Sequence, residues 1–286
     1  IKGLLKTFMI YPKISVIIAT YDSGRTIEKC LISIKKQTYP NIETIVVDSL
    51  FYDKKKQEKC KKIITRYAKY FQDGPERSIQ RNRGIKEAEG ELILVIDQDM
   101  YLTKNVIKDC YDKLTGSNYI ALTIPEISIG IGFWTKCIAL ERYVSIVLEE
   151  GMNECCRFFR KKDVLEIGGY DPKIVGVEDS DLHYRMVSKG KMGKIKSIIY
   201  HDEGKTKFWY RVKKKYYYSI AFREYLKRYP NIAVKQFSPF KKAYLKHWKL
   251  SVKNPAITGG IILLRSAEVI TGLLGIVFRR KTYAKK

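Results

Sequence analysis

Glu91-Leu92-Ile93-Leu94-Val95-Ile96-Asp97-Gln98-Asp99-Met100 is the stretch that decides the fold. Five consecutive large aliphatics, Leu92 to Ile96, follow Gly90 and stop at polar residues. The run is too short to span a membrane as a helix, and it predicts a strand buried on both faces. Two carboxylates stand at its C-terminal end, the end of an open α/β sheet where ligands bind. Asp97 and Asp99, separated only by Gln98, can share one divalent cation through hard oxygen ligands, which predicts a metal site for a phosphorylated substrate. Helix capping is the plainer reading of acids after a strand.

The chain on either side repeats this arrangement. Ile14 to Ala19 predicts a first strand, ending in Thr20-Tyr21-Asp22-Ser23-Gly24, with Ser23 placed to cap the next helix. Ile27, Leu31 and Ile34 recur at helical spacing until Pro40, and Ile42 to Val47 predicts a second strand finishing at Asp48-Ser49. A basic helical run is expected from Lys54 to Tyr70. Asp73-Gly74-Pro75 is turn chemistry, and a helix carrying Arg77, Arg81 and Arg83 precedes the central strand. Strands alternating with helices predict a mainly parallel sheet with right-handed crossovers. Three successive strands then deliver carboxylates, Asp22, Asp48 and the pair Asp97 and Asp99, to one sheet edge.

At 286 residues and 45% hydrophobic content the chain is a folded protein of one large domain, or one domain with an appendage. Its net charge of +25 implies a polyanionic partner: phosphate-bearing substrate, anionic membrane or nucleic acid. Six cysteines without C-x-x-C spacing, in a sequence showing no secretory signal, read as reduced thiols of a cytosolic compartment. Redox pairing of Cys155 and Cys156 is the alternative to a strand of mixed burial.

Ser15 to Asp22, the Gln37-Thr38-Tyr39-Pro40-Asn41 turn, Val46-Val47-Asp48, Arg81-Asn82-Arg83-Gly84 and Asp97-Gln98-Asp99 resemble the nucleotide-sugar half of family 2 glycosyltransferases with the GT-A fold. Gly168-Gly169-Tyr170-Asp171 and Gly176-Val177-Glu178-Asp179 extend the resemblance to about residue 205. The family usually has Asn where Asp22 stands, and often a second acid where Ser49 stands. The resemblance implies a Rossmann-like, mainly parallel α/β sheet flanked by helices, with Thr20, Tyr21, Asp22 and Asp48 around the nucleoside. It also places Arg81 toward diphosphate or base, Asp97 on ribose or metal, and Asp99 on Mg²⁺ or Mn²⁺. His201, after a strand expected at Ile195 to Tyr200, is the third candidate ligand.

The resemblance further makes Asp179 the general base of an inverting transfer. A hydroxyl acceptor needs a carboxylate to take its proton, and a helix N-terminus favours the ionised form; capping by Glu178, Asp179 and Asp181 is the plainer alternative. A glycoside hydrolase also uses paired carboxylates but has no use for a phosphate-directed first half. Leu114 to Pro125 reads as a helix end and a strand, Gly130 to Glu150 as a long acceptor-side helix, and Glu154 to Phe159 as a strand.

From Lys205 to Lys253, fifteen Lys and Arg face one acid, Glu224, with thirteen aromatics interleaved, among them Phe208, Trp209, Tyr216 to Tyr218, Phe237 and Trp248. This composition suits an anionic membrane interface. Ala256 to Phe278 is long enough to span a bilayer, but Arg265 and Glu268 are costly there. Thr258, Arg265, Glu268, Gly272, Gly275 and Arg279 share one stripe, which predicts a helix lying in the interface or packed on its own domain. A homo-oligomer interface is the other structural reading. Arg279, Arg280 and Lys281 would anchor the end on the cytoplasmic side.

The expected organisation is an N-terminal arm over 1–11, a GT-A domain over 12–205 and a basic, membrane-associating helical region over 206–286. The expected partners are a nucleotide-sugar donor and a lipid-linked or membrane-proximal acceptor at the cytoplasmic face of the membrane. A polyprenyl phosphate acceptor is the alternative. A nucleic-acid-binding protein, stacking bases on the tail's aromatics, is a remote one, since it leaves the acidic strand ends without a purpose.

Overall fold

The computed structural model describes residues 11–50, 52–148, 155–237 and 245–278. The expected arm up to residue 10 and the anchor Arg279, Arg280 and Lys281 lie outside them. The chain begins with β1 (Ile14–Thr20), α1 (Ile27–Lys35), β2 (Ile42–Ser49), α2 (Lys54–Ile64), β3 (Lys69–Asp73), α3 (Arg77–Glu87), β4 (Leu92–Asp97), β5 (Met100–Leu102) and α4 (Val106–Thr115). It continues with β6 (Ala121–Thr123), β7 (Glu126–Ile131), α5 (Phe133–Arg142), β8 (Cys156–Arg160), α6 (Lys161–Glu166), α7 (Glu178–Val187), β9 (Met192–Lys194) and β10 (Ile199–Lys205).

Seven strands form one sheet in the order β3-β2-β1-β4-β8-β6-β9. The first four are mutually parallel, and β8 runs antiparallel between β4 and β6. The mainly parallel α/β sheet read from the sequence is therefore present. Side-chain alternation explains why the strands are apolar on both faces. Val16, Ile18, Leu94 and Ile96 enter one buried cluster, and Ile17, Val47, Ile93 and Val95 enter the other. A second, three-stranded sheet has the order β5-β10-β7. It matters for function because it folds Asp99, just before β5, against the middle of β10.

Three segments depart from expectation. The basic helix stops at Ile64 and Lys69–Asp73 becomes edge strand β3, because Tyr70 and Phe71 gain more by adding to the sheet beside β2 than by extending a lysine-rich helix. The long helix expected from Gly130 starts only at Phe133; the alternating Ile127, Ile129 and Ile131 belong to β7, and Tyr143–Leu148 continues α5 as a π-helix. Ser23 does not cap α1 through its side chain; Thr26 occupies the cap position, and its N–H is held by the Ser23 carbonyl.

Beyond the sheets come α8 (Phe208–Arg228), α9 (Pro230–Phe237), a short helix Trp248–Lys253 and a long apolar helix Pro255–Phe278. The apolar helix lies along α8 and α5. Part of its polar stripe, Arg265, Glu268 and Gly275, faces inward, whereas Gly272 meets open space. Glu268 is buried, Arg211 of α8 donates to it at 3.2 Å, and Arg265 pairs with both Glu268 and Glu141 of α5. Ile262, Leu263, Ile270, Leu273, Leu274 and Val277 face outward and are exposed.

Candidate active site

The parallel register sets Thr20 opposite Asp48 and Ala19 opposite Asp97, so the acidic strand ends converge on one edge. They converge at different depths. Asp48 is fully buried: it accepts from Thr20 Oγ1 at 2.7 Å, Tyr52 OH at 2.6 Å and Tyr70 OH at 3.1 Å. Burial outweighs those donors and raises its pKa. Expected to line the nucleoside pocket, Asp48 is covered by Tyr52 from the approach to α2 and Tyr70 from β3. Tyr21 and Asp22 stand at the rim. Tyr21 is exposed, with its ring 5.3 Å from that of Tyr52 and its N–H donated to Gln98 Oε1 at 2.8 Å. Asp22 adopts a left-handed conformation, which Asp tolerates better than most residues, and pairs with Lys56 at 2.7 Å.

Arg81 was expected to face the diphosphate or the base. It is completely buried, and its fork joins two strand and helix ends. Nη2 binds Asp97 Oδ1 at 2.7 Å, and Nη1 binds Asp179 Oδ1 at 2.7 Å and Glu178 Oε1 at 3.3 Å. The guanidinium also lies 5.1 Å from the Tyr170 ring centre. Carboxylates withdrawn from water need this compensation, and a planar fork supplies it to two at once. The second oxygen of Asp97 faces Arg157 at 3.6 Å. Although burial opposes it, the Arg81 and Arg157 charges hold the Asp97 carboxyl well below the usual carboxylate range. Asp179 goes the other way. Burial, helped by the charges of Glu178 and Asp97, raises its pKa against the pull of Arg81.

The position of Asp179 depends on two turns. Asn82 of α3 donates to the Tyr170 carbonyl and accepts from its N–H, both at 2.8 Å, which pins the Gly168-Gly169-Tyr170 turn where Gly169 has φ +68°. Gly176, at φ +84°, lies directly under Tyr218 of α8 with no room for a Cβ. The loop before α7 is thereby clamped beneath the basic, aromatic helix.

Asp99 and His201 meet through the second sheet. His201 pairs with Met100 across β5 and β10, and its Nε2 lies 3.4 Å from Asp99 Oδ1; Nδ1 lies 3.5 Å from Glu126 Oε2. Burial and the Arg142 charge press the imidazole toward its neutral form, but Asp99 and Glu126 prevail and raise its pKa to about 9. A carboxylate oxygen and an imidazole nitrogen facing one another are suitable Mn²⁺ or Mg²⁺ donors and would hold such an ion with the imidazole neutral. Both oxygens of Asp97, also a candidate ligand, face arginines. Among the described residues no group of three or more His, Cys, Asp or Glu side chains forms a ready metal cage.

Residues not singled out in the sequence complete the site. Glu126 is buried between Arg157 Nε and Arg142 Nη2, each at 2.5 Å, and Arg142 Nη1 also holds Glu203 at 2.8 Å. Despite burial, Arg157 above all holds the Glu126 carboxyl below its usual range. The available signals were an acid directly after Pro125 and an arginine inside the apolar run Cys156-Arg157-Phe158-Phe159.

A mainly parallel sheet with acids at its C-terminal edge, joined by a small second sheet that brings up a histidine, is the GT-A glycosyltransferase arrangement. The family model described as Glycosyl transferase family 2 matches residues 15–168, and the chain belongs to that family. It is similar to the poly(ribitol-phosphate) beta-N-acetylglucosaminyltransferase TarS of Staphylococcus aureus, with 36% identity over 104 residues, 34% of this chain and 18% of TarS. It is also similar to the glycosyltransferase GlyG of Streptococcus pneumoniae, with 33% identity over 105 residues, 35% of each chain. The matched stretch thus spans well under half the length of these relatives. The mannosyltransferase PcManGT from Pyrobaculum calidifontis, solved in complex with GDP-Man and Mn²⁺, shares the fold with a TM-score of 0.62 at 14% identity, over 93% of this chain and 88% of that one.

Proposed function

We propose that the protein is a metal-dependent, inverting glycosyltransferase that moves a sugar from a nucleotide-sugar donor to a hydroxyl of a lipid-linked or membrane-proximal acceptor. The observation that carries the reading is the buried Arg81 fork, which ties the Asp179 carboxylate to the end of β4 only two residues from Asp99. Base and diphosphate-binding groups are thereby fixed in one rigid frame. Tyr21, Asp22 and Tyr52 border the nucleoside, with Thr20 and Asp48 as the floor beneath them. Asp99 and His201 would hold Mn²⁺ or Mg²⁺, which supplies charge neutralisation for the departing nucleoside diphosphate. The Mn²⁺ bound with GDP-Man in PcManGT supports that assignment. Asp179 accepts the acceptor's hydroxyl proton as its oxygen attacks; its raised pKa makes it a stronger base than an ordinary carboxylate. Arg81 holds Asp179 in place and favours its ionised form.

Residues 12–205 form the catalytic domain in this reading, and 206–286 the membrane-associating region. The exposed outer face of the apolar helix supports membrane contact: its charges are engaged with α5 and α8, and Leu263, Ile270, Leu273 and Leu274 would be free to enter one leaflet. Free thiols at all six cysteines fit the cytoplasmic face. One observation favours a polyprenyl phosphate acceptor as the second reading. Lys214 of α8, its pKa lowered by desolvation and by the Arg77 and Arg211 charges, lies within electrostatic reach of Asp99, where an anionic nucleophile would be welcome.

The test is nucleoside diphosphate release by the purified full chain across a donor panel, with Mn²⁺ or EDTA, and with or without lipid extract. Metal-dependent release that rises with lipid is expected. Release that is indifferent to EDTA would overturn the metal assignment, and release stimulated only by water-soluble acceptors would overturn the acceptor's location.

A further inference from the structure

We propose that Glu126 is a positioning residue for the metal-binding face, aiming the His201 ring so that Nε2 is presented to Asp99. The inference rests on the metal reading above and assigns a role to a carboxylate that the transfer chemistry does not itself use. It follows first from strand register. His201 on β10 pairs with Ser128 on β7, and Glu126, two residues earlier on β7, shares the face of Ser128. Across β10 in the other direction, Met100 pairs with His201, which places Asp99 on the ring's far side. The imidazole is therefore bracketed by two carboxylates from two neighbouring strands, Glu126 Oε2 at 3.5 Å from Nδ1 and Asp99 Oδ1 at 3.4 Å from Nε2.

The two carboxylates are held differently. Asp99 is partly open to solvent, while Glu126 is 5% exposed and locked by Arg157 and Arg142, each at 2.5 Å. A carboxylate clamped by two guanidiniums cannot follow the ring, so the ring follows it. An imidazole whose Nδ1–H is accepted by a fixed carboxylate presents the lone pair of Nε2 in one direction, and metal-binding histidines are commonly oriented in this way. Asp99 is then the ligand that can adjust, and Glu126 is the fixed partner that aims His201. The competing explanation is that Glu126 serves only to neutralise Arg142 and Arg157.

The experiment is Mn²⁺ binding to the full chain, followed by the loss of the aquo-ion signal in electron paramagnetic resonance. Wild type is compared with E126Q, E126D, H201A and D99A, and thermal unfolding is measured on the same samples. E126Q should weaken Mn²⁺ binding roughly 10–100-fold, the usual consequence of losing a ligand's outer partner. E126D keeps a negative charge beside the arginines while drawing the carboxylate back from the ring and from Arg142 alike. Its loss of Mn²⁺ affinity should therefore exceed what its loss of thermal stability accounts for, the split that a merely neutralising role would not produce. If E126Q and E126D bind Mn²⁺ as wild type does while H201A does not, the positioning role is overturned and the metal reading stands. If H201A binds as wild type does, His201 is not a ligand and both fall together.

Discussion

Replacing Arg81 by Met removes the fork that holds Asp179 while keeping most of its volume, and it should move the acid limb of the pH–rate profile. In the wild type the 2.7 Å pair with Arg81 is the larger of two attractions, the other from Arg157, that oppose burial at Asp179, and Glu178 and Asp97 both push the same way as burial. An arginine beside an aspartate lowers the carboxyl pKa by about 1–3 units, so its loss should raise the base by a similar amount. Each unit corresponds to about 1.4 kcal/mol between the two protonation states. A base must be ionised to act, so activity fails as pH falls through its pKa, and the limb should shift to higher pH by about 1–3 units. The assay is kcat/KM for diphosphate release at fixed Mn²⁺ between about pH 5 and 9, with unfolding followed at each pH. Stability should change in a linked way. Asp97 is depressed in the wild type, so its contribution is present above the unfolded value of about 3.9 and is lost as pH falls. The variant strands buried carboxylates at a cost of about 3–5 kcal/mol near neutrality, and this penalty shrinks on acidification as they protonate. A folded R81M enzyme whose acid limb stays where the wild type's lies would refute the reasoning.

Asp179→Asn should reduce kcat by roughly 10²–10⁴ with little change in donor KM if the acceptor is a hydroxyl; near-normal turnover would show that the nucleophile arrives already ionised, as a lipid phosphate does. Charging the outer face of the apolar helix, L263E with L274E, should abolish co-sedimentation with anionic vesicles and leave turnover of a soluble acceptor analogue intact, whereas a dimer face would show instead as a change in sedimentation coefficient. Gly176→Ala puts a Cβ at positive φ and into the Tyr218 ring; it should cost about 1–3 kcal/mol of stability and lower kcat more than donor affinity, and an unchanged kcat would separate the loop from Asp179.

The parallel sheet was legible because its strands obey one rule: apolar where both faces are covered, acidic where they end. Ile14 to Ala19, Ile45 to Val47 and Leu92 to Ile96 are buried with carboxylates at a common edge, while Ile42 to Thr44 at the start of β2 stay half-buried. β7 was missed because it inverts the rule. Glu126 and Ser128 are its buried residues and Ile127 and Ile129 its half-buried ones, since the covered face looks onto arginines and a histidine rather than onto aliphatics. The same inversion hid Arg157 in a strand otherwise built for the core. Candidate residues could be named from motifs, but their depth could not. Asp48 is sealed by tyrosines from two different segments and Arg81 by acids nearly a hundred residues away, and such long-range partners leave no local spacing to read.

The placement of charge carries the functional argument one step further. Inside the site acids and bases alternate, Glu178 to Arg81 to Asp97 to Arg157 to Glu126 to Arg142 to Glu203, so the buried frame is close to electrically balanced. A diphosphate therefore meets no great excess of fixed buried cations there, which leaves room for a divalent ion to be the group that neutralises it. The net +25 must then reside on surfaces. Much of the imbalance falls between Lys205 and Lys253, where exposed Lys213, Lys249 and Lys253 stand beside exposed Trp209, Tyr210 and Trp248. A balanced interior with a lopsided exterior suits the membrane-surface transferase proposed above. On that reading Lys213, Lys249 and Lys253 would meet anionic lipid while Lys214, within electrostatic reach of Asp99, would face phosphate in the site, so membrane and donor would draw on different charges.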